Sequence, residues 1–160
     1  KIPLRITHND TKFNNVLLDE SDKALCIIDL DTVMNGYVHY DFGDSIRTTA
    51  NTGAEDEEDL SMVKMNISLF EAFAKGFLSE LAEHLNREEI DNLAFSSGLM
   101  TFIIGLRFFT DYIDGDSYFR IHYPEQNLLR TRAQFKLLES MEEQYEDMQR
   151  IIEGIIRNCR

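Results

Sequence analysis

The chain is poor in cysteine: only Cys26 and Cys159 occur among its 160 residues. One lies in an apolar run and the other beside the last residue, so neither a disulfide framework nor a thiolate metal site is indicated. With two prolines, no low-complexity tract and no internal repeat, the chain shows no linker. Its 43% apolar content suffices for one core, so we expect a single domain over residues 1–160 in a reducing cytoplasm.

Positive charge is also scarce, with 16 Lys and Arg against 29 Asp and Glu, a net charge of −13. Such a surface repels phosphate backbones and anionic lipids, so we expect neither nucleic acid nor a membrane as the main partner. No run of 18 uninterrupted apolar residues and no signal-peptide pattern occurs. A small substrate is the better expectation. The chain starts at Lys1 rather than methionine, which suggests a piece of a longer protein.

Hydrophobic periodicity predicts a mainly α chain with one small β-hairpin near its start. Two short runs rich in Val, Ile and Leu predict the hairpin strands, at 16–18 and 24–30. The polar stretch 31–58 predicts a loop, interrupted by a helical turn near 42–48. Three helices are predicted, over 60–84, over 88–112, and from Pro124 to the C-terminus.

Each predicted helix has its own signal. Acids at 56–59 precede the first helix, where they favour a first turn. The second helix is apolar over a wide arc and is therefore predicted to be buried on most sides, through Phe95, Leu99, Phe102, Ile103, Leu106 and Phe109. The third has the heptad-like spacing of a coiled coil, at Leu138, Met141, Tyr145, Met148, Ile152 and Ile155. Because it has fewer than three full heptads, we expect it to pack within the same domain.

The first polar cluster has the spacing of a kinase catalytic loop. His8, Asp10 and Asn15 match H-x-D-x-x-x-x-N. Phosphoryl transfer requires a carboxylate that accepts or orients the proton of the attacking hydroxyl, and a nearby oxygen ligand for magnesium. Asp10 and Asn15 can supply these groups. We expect His8 to support the loop by hydrogen bonding more than to act as an acid or base.

A second magnesium ligand should follow the next strand, where Asp29 stands in IIDLD. A competing aspartate, Asp41, begins the sequence DFG, which spells the metal motif of protein kinases. No apolar strand leads into Asp41, so we interpret it as structural. For Asp31 two interpretations stay open, a solvated turn residue or a ligand of metal and substrate.

Four segments resemble the aminoglycoside phosphotransferase and choline kinase superfamily. They are HNDTK at 8–12, IDLDT at 28–32, YDFGDSIR at 40–47 and LRFFTDYIDGD at 106–116. Within that superfamily the chain looks like the N-acetylhexosamine 1-kinase branch. The resemblance implies that Asp10 is the catalytic base and that Asn15 and Asp29 bind Mg²⁺. It also implies ATP as co-substrate and the anomeric hydroxyl of a GlcNAc- or GalNAc-type sugar as acceptor.

The same resemblance implies the C-terminal lobe of a protein-kinase-like fold. Only seven residues precede His8, so the nucleotide-binding lobe that such enzymes place before the catalytic loop is expected to be absent. The 160 residues alone are then expected to be nearly silent in catalysis. Two other expectations stay open for the protein, a kinase for an amino alcohol or aminoglycoside and a non-catalytic binding module.

Acceptor recognition requires carboxylates, amides or guanidinium groups beside an aromatic surface. The residues with this chemistry are Arg107, Asp111, Tyr112, Asp116, Tyr118 and Arg120, with Asp44 and Arg47 earlier in the chain.

Each of these assignments has a plainer alternative. Arg107 and Asp111 stand four residues apart and can form a salt bridge on the helix surface. Asp44 and Arg47 can likewise pair with each other without contacting a substrate. Apolar surface near Ile2, Leu4 and the hairpin, or the helix over 138–155, predicts a possible homodimer.

Overall fold

The structure is a computed structural model that describes residues 1–158, so Cys159 lies outside the described residues. The strands are β1 (Arg5–Thr7), β2 (Val16–Leu18), β3 (Ala24–Ile27) and β4 (Met34–Gly36). The helices are α1 (Val38–Thr49), α2 (Ile67–Leu81), α3 (Arg87–Asp91), α4 (Leu93–Ile113), α5 (Gln126–Glu143) and α6 (Tyr145–Asn158). This confirms the mainly α class with a small β component, consistent with the lobe of a kinase-like fold.

The four strands form two separate antiparallel pairs. β2 pairs with β3, with Val16 opposite Ile27, which confirms the predicted hairpin. β1 pairs with β4, with Arg5 opposite Gly36. This second pair was not predicted, because its strands, RIT and MNG, lack the run of apolar residues that marks β2 and β3 in the sequence.

Helix α1 lies within the stretch 31–58 that the sequence predicts as loop, and it extends beyond the expected turn at 42–48 on both sides. Its buried residues include Phe42, Ile46 and, just past its end, Ala50, which are four residues apart along one face. The stretch is rich in polar residues, so its composition gave little sign of a helix. Packing of an apolar face against other helices stabilises it instead.

The other helix boundaries also differ from the prediction. Helix α2 starts at Ile67, because the Asn66 side chain caps it by accepting from the N–H groups of Ser68 and Leu69 at 3.0 and 3.2 Å. The acids at 56–59 precede only a short 3₁₀ turn at 60–62. The second predicted helix is divided at Asn92 into α3 and α4, and the third is divided at Gln144 into α5 and α6.

The core lies between α1, α2, α4, α5 and α6. At its centre the Phe42 ring makes edge-on contacts with Phe70, Phe73 and Phe77, at centroid distances of 5.0–6.1 Å. The heptad-like residues of the C-terminal segment pack into this core, with Met148 and Ile152 buried. Packing within the domain is thus confirmed for that segment, and the coiled-coil alternative is wrong.

The predicted burial of α4 is wrong for most of its large apolar residues. Phe95, Phe102, Leu106 and Phe109 are exposed, and small or polar residues face α1 and α5 instead, among them Ser96, Ser97, Thr101 and Gly105. A close approach between helices selects small side chains, and periodicity alone does not show which face approaches. Helix α4 is also long and apolar enough to cross a membrane, but core helices of soluble proteins meet the same criteria of length and composition.

The contact between α1 and α4 yields a stability prediction. A methyl group at Gly43 would lie 2.3 Å from the backbone oxygen of Ser96, which cannot move without displacing α4. We expect Gly43→Ala to lower the free energy of unfolding by about 1–3 kcal/mol, the usual cost of overpacking. The matched control is Gly76→Ala in α2, where no atom lies within 4 Å of the new methyl and a gain of up to about 1 kcal/mol is expected. Urea titrations measure both values, and equal stabilities would contradict the prediction.

Candidate functional site

The catalytic-loop sequence lies between β1 and a 3₁₀ turn at 13–15, and Asp41 of α1 holds its backbone. The Asp41 carboxylate accepts from the N–H of His8 at 2.9 Å and from the N–H of Asn9 at 2.7 Å. The Thr11 hydroxyl donates to the Asp41 backbone oxygen at 2.7 Å. These contacts support the structural interpretation of Asp41 and leave its carboxylate committed to the loop.

Asp10 is held by only one of its two carboxylate oxygens. Oδ2 accepts from Lys12 Nζ at 2.8 Å and from Asn15 Nδ2 at 2.9 Å. Within residues 1–158 no donor contacts Oδ1. The carboxylate is therefore oriented, and its second oxygen is left for a hydroxyl group.

Lys12 remains a cation beside this carboxylate. Burial pulls the pKa of its ammonium down, but the hydrogen bond to Asp10 and the charges of Asp10, Asp29 and Asp44 outweigh burial, so the pKa is raised. Lys12 was not among the predicted site residues, although it stands inside the quoted HNDTK segment. Its contact with Asp10 identifies it.

His8 contacts the backbone through both ring nitrogens. Nε2 lies 3.1 Å from the backbone oxygen of Ile28, and Nδ1 lies 3.3 Å from the backbone nitrogen of Asp10. A ring protonated at Nε2 donates to Ile28 and accepts from Asp10. These contacts favour the supporting role over an acid–base role for His8.

Asn15 and Asp29 lie at the same end of the β2–β3 hairpin. The N–H of Ile28 donates to the backbone oxygen of Asn15 at 2.9 Å, which extends the strand pairing and places Asp29 one residue further on. Asp29 has a left-handed backbone with φ of 64°, a conformation that aspartate tolerates better than most residues. The Asn15 amide nitrogen faces Asp10, so its oxygen remains open for a ligand.

This pair fits magnesium by its chemistry. One amide oxygen and one carboxylate are hard oxygen ligands, and Mg²⁺ usually keeps several waters and phosphate oxygens beside one or two protein groups. No group of three or more His, Cys, Asp or Glu side chains suited to a metal occurs in the part of the chain that the structure describes. The donor set therefore suits a metal that arrives with phosphates rather than a closed structural site.

A cavity of about 790 Å³ opens beside Asp10. It is bounded by the catalytic loop, by α1, by α4 and by the segment that follows α4. Among the residues that line it are Asp10, Lys12, Thr32, Asp44, Arg47, Glu55, Ile103, Arg107, Tyr118, Phe119, Arg120 and Arg130.

Five of the predicted recognition residues line this cavity: Asp44, Arg47, Arg107, Tyr118 and Arg120. Asp44 and Arg47 are both buried and pair at 2.9 Å, as the plainer alternative has it, but they do so in the cavity wall. Arg107 does not pair with Asp111. Its guanidinium instead lies over the rings of Tyr118 and Phe119, at 5.4 and 5.3 Å from their centroids, so the salt-bridge alternative is wrong for this pair.

The other predicted recognition residues do not line the cavity, so their assignment as substrate contacts stays a prediction. The Asp111 carboxylate accepts from the N–H groups of Tyr118 and Phe119 at 2.7 and 2.9 Å and from Asn127 Nδ2 at 2.8 Å. Burial favours a higher pKa for Asp111, but these hydrogen bonds outweigh burial and lower it. Asp111 therefore shapes the segment that carries Tyr118.

Three further predicted residues have the same outcome. Asp116 accepts from Asn127 Nδ2 at 2.9 Å. Tyr112, which follows Asp111, is half-buried and does not line the cavity. Asp31 is exposed in a 3₁₀ turn after β3, and the neighbouring Thr32 lines the cavity in its place. The solvated-turn interpretation of Asp31 is thus favoured.

Glu55 was not predicted, and it links two arginines of the cavity wall. Its carboxylate oxygens lie 3.1 Å from Arg47 and 3.5 Å from Arg130. The next residue, Asp56, accepts from the Tyr123 hydroxyl at 2.7 Å, and this hydrogen bond raises the pKa of Tyr123 to about 12. The sequence analysis assigns Asp56, with the acids at 56–59, to a helix start, and Glu55 stands directly before that run.

A family model matches the part of the chain that contains the catalytic-loop sequence. The APH model, which describes the phosphotransferase enzyme family, matches residues 1–81. The chain belongs to this family. The matched range contains Asp10, Asn15, Asp29 and Asp41, whereas Arg107 and Tyr118 lie beyond it. The superfamily part of the resemblance is thereby confirmed, together with a kinase-type phosphotransferase class.

Proposed function

We propose that this phosphotransferase transfers the γ-phosphoryl group of ATP, with Mg²⁺, to a hydroxyl group of a small metabolite. The anomeric hydroxyl of an N-acetylhexosamine, GlcNAc or GalNAc, is the acceptor that we propose. The observation that supports this most is the Asp10 carboxylate, oriented by Lys12 and Asn15 with one oxygen open, in the wall of a cavity of about 790 Å³.

In this mechanism Asp10 accepts the proton of the attacking hydroxyl. Lys12 keeps its positive charge beside the reacting groups, and His8 holds the loop. Asn15 and Asp29 would hold the metal, which when bound neutralises charge on the phosphates. Positioning supplies much of the rate in phosphoryl transfer, so a loop fixed by Asp41 at two N–H groups suits this chemistry.

The proposed nucleotide site lies beside the hairpin. Leu25 and Ile27 of β3 are exposed apolar residues on one face of the hairpin, and Ile27 lies two residues before Asp29. An adenine base requires such an apolar surface, which supports ATP as the donor. We also propose that residues 1–160 act as one catalytic lobe in the cytoplasm.

The proposed acceptor site is the far wall of the cavity. A hexose has an apolar ring face and several hydroxyls, and its pocket should combine an aromatic surface with charged or amide groups. Tyr118 and Phe119 provide the aromatic rings, with the Arg107 guanidinium over them. The buried Asp44 and Arg47 pair adds polar groups to the same wall.

An acceptor panel tests this assignment. We expect calorimetry to detect binding of GlcNAc and GalNAc to the chain. In a coupled assay of the enzyme that contains these residues, we expect ADP to form fastest when GlcNAc or GalNAc is the acceptor. Arg107→Ala should raise the KM for the sugar about tenfold or more with a smaller change in kcat, since it removes a ground-state contact. The matched control is Arg132→Ala, an exposed arginine of α5 that does not line the cavity. Preference for an amino alcohol or aminoglycoside over every sugar would contradict the proposal.

A further inference from the structure

The outer face of α4 carries a continuous apolar stripe. We call the α4 stripe its six residues spaced alternately by four and three: Phe95, Leu99, Phe102, Leu106, Phe109 and Ile113. Five of the six are between 38% and 65% exposed. This is the heptad spacing by which one helix packs along another, and it spans the whole helix.

The remaining faces of α4 are already used. One face packs against α1 and α5 through small residues such as Ser97 and Gly105. Another, with Ile103 and Arg107, lines the cavity. The stripe belongs to neither the core nor the candidate site, so its apolar character is unexplained by both.

Neighbouring residues extend the stripe. Phe135 of α5 is 38% exposed, and its ring centroid lies 6.2 Å from that of Phe102. At the N-terminal end of the stripe, an open groove of about 300 Å³ lies between Phe95 and Tyr145. The stripe itself contains no charged residue.

We propose that a second copy of this chain packs on the α4 stripe. A fully exposed aromatic or large aliphatic side chain presents about 150–250 Å², so the exposed fractions of the stripe and Phe135 sum to roughly 500 Å² in each copy. Two copies would bury roughly 1,000 Å² of apolar surface, close to the lower limit of a specific interface even before flanking residues are added.

The stripe is a place where two copies can meet without opposing charges of like sign at the contact. Each chain has a net charge of −13, so two copies repel each other at long range, and a contact without charged side chains adds no further repulsion. A helix with heptad spacing is also complementary to its own copy about a two-fold axis. The same net charge disfavours an anionic membrane as the occupant.

The test measures the mass of the chain by sedimentation over a wide range of concentrations. We expect a reversible dimer that becomes tighter as salt is raised, because salt screens the repulsion between the two acidic chains. Leu106→Glu should raise the dimer Kd at least about thirtyfold, the factor that corresponds to a hot-spot loss of about 2 kcal/mol.

A matched control is available in α2. Leu69 is also a helical leucine and, like Leu106, is 45% exposed, so Leu69→Glu should leave the dimer Kd unchanged. If Leu106→Glu fails to fold by circular dichroism, Phe102→Glu serves as the second variant. A chain that is monomeric at every concentration, a dimer lost in Leu69→Glu but kept in both stripe variants, or a monomer that binds neutral phospholipid vesicles through Phe102 would each overturn the proposal.

Discussion

Asp10→Asn is expected to lower kcat at least about a hundredfold, the usual contribution of a positioned general base. The substitution keeps the size of the side chain and one oxygen for Lys12 or Asn15, so the loop should keep its shape. What it removes is the negative charge and the basic oxygen that faces the cavity. The change should therefore appear in kcat, with little change in the KM for the acceptor.

The matched control for this prediction is Asp19→Asn. Asp19 accepts from the N–H groups of Ser21 and Lys23 in the hairpin turn, at 2.8 and 3.0 Å, and does not line the cavity. It undergoes the same chemical change outside the site and should keep normal turnover. If Asp10→Asn retained more than about a third of the wild-type kcat while Asp19→Asn did the same, Asp10 would have no role in proton transfer.

The part of the site that could be predicted is local in sequence. Asp10 and Asn15 are five residues apart, and their side chains meet at 2.9 Å because so short a segment can bring them together without help from the rest of the fold. Asp29 was predicted from its position after a strand, and the hairpin register places it beside Asn15. Short-range spacing and strand pairing carried these predictions.

The acceptor wall could be predicted only in part, because its residues come from distant segments. Glu55 reaches Arg47 and Arg130 through a loop whose path depends on the packing of α1 and α5. Asp111 has the right chemistry for a sugar, but the fold commits its carboxylate to the backbone of Tyr118 and Phe119. Residue type alone does not distinguish a carboxylate that is free from one that is already bonded.

Helix α4 shows a related limit. Its large apolar residues and its small residues have the same helical period on different faces, so the period indicates a helix without indicating which face is buried. Gly43 shows why the small face is inside: a side chain there would overlap the backbone oxygen of Ser96 at 2.3 Å. Such close contact cannot be inferred without the partner helix in place.

Removal of the Asp29 carboxylate is expected to change the magnesium requirement, and removal of the Asp41 carboxylate is not. Asp29 is exposed at the end of the hairpin, one residue beyond the backbone hydrogen bond between Ile28 and Asn15. Its carboxylate has no hydrogen-bond or salt-bridge partner in the described residues and is open to a cation. Asp29→Ala should raise the Mg²⁺ concentration for half-maximal rate about tenfold or more, and Asn15→Ala should act in the same direction.

Asp41→Asn serves as the contrast, because its effect should fall on stability. Asparagine offers one acceptor oxygen and one amide group that opposes a backbone donor, so either the N–H of His8 or that of Asn9 loses its partner. The expected cost is about 1–3 kcal/mol in the free energy of unfolding, with an unchanged Mg²⁺ dependence in the folded fraction. Urea titration and magnesium titration of the two variants separate these outcomes. Should Asp29→Ala leave the magnesium dependence intact while Asp41→Asn abolishes it, Asp41 would be the metal ligand and the assignment of Asp29 would be wrong.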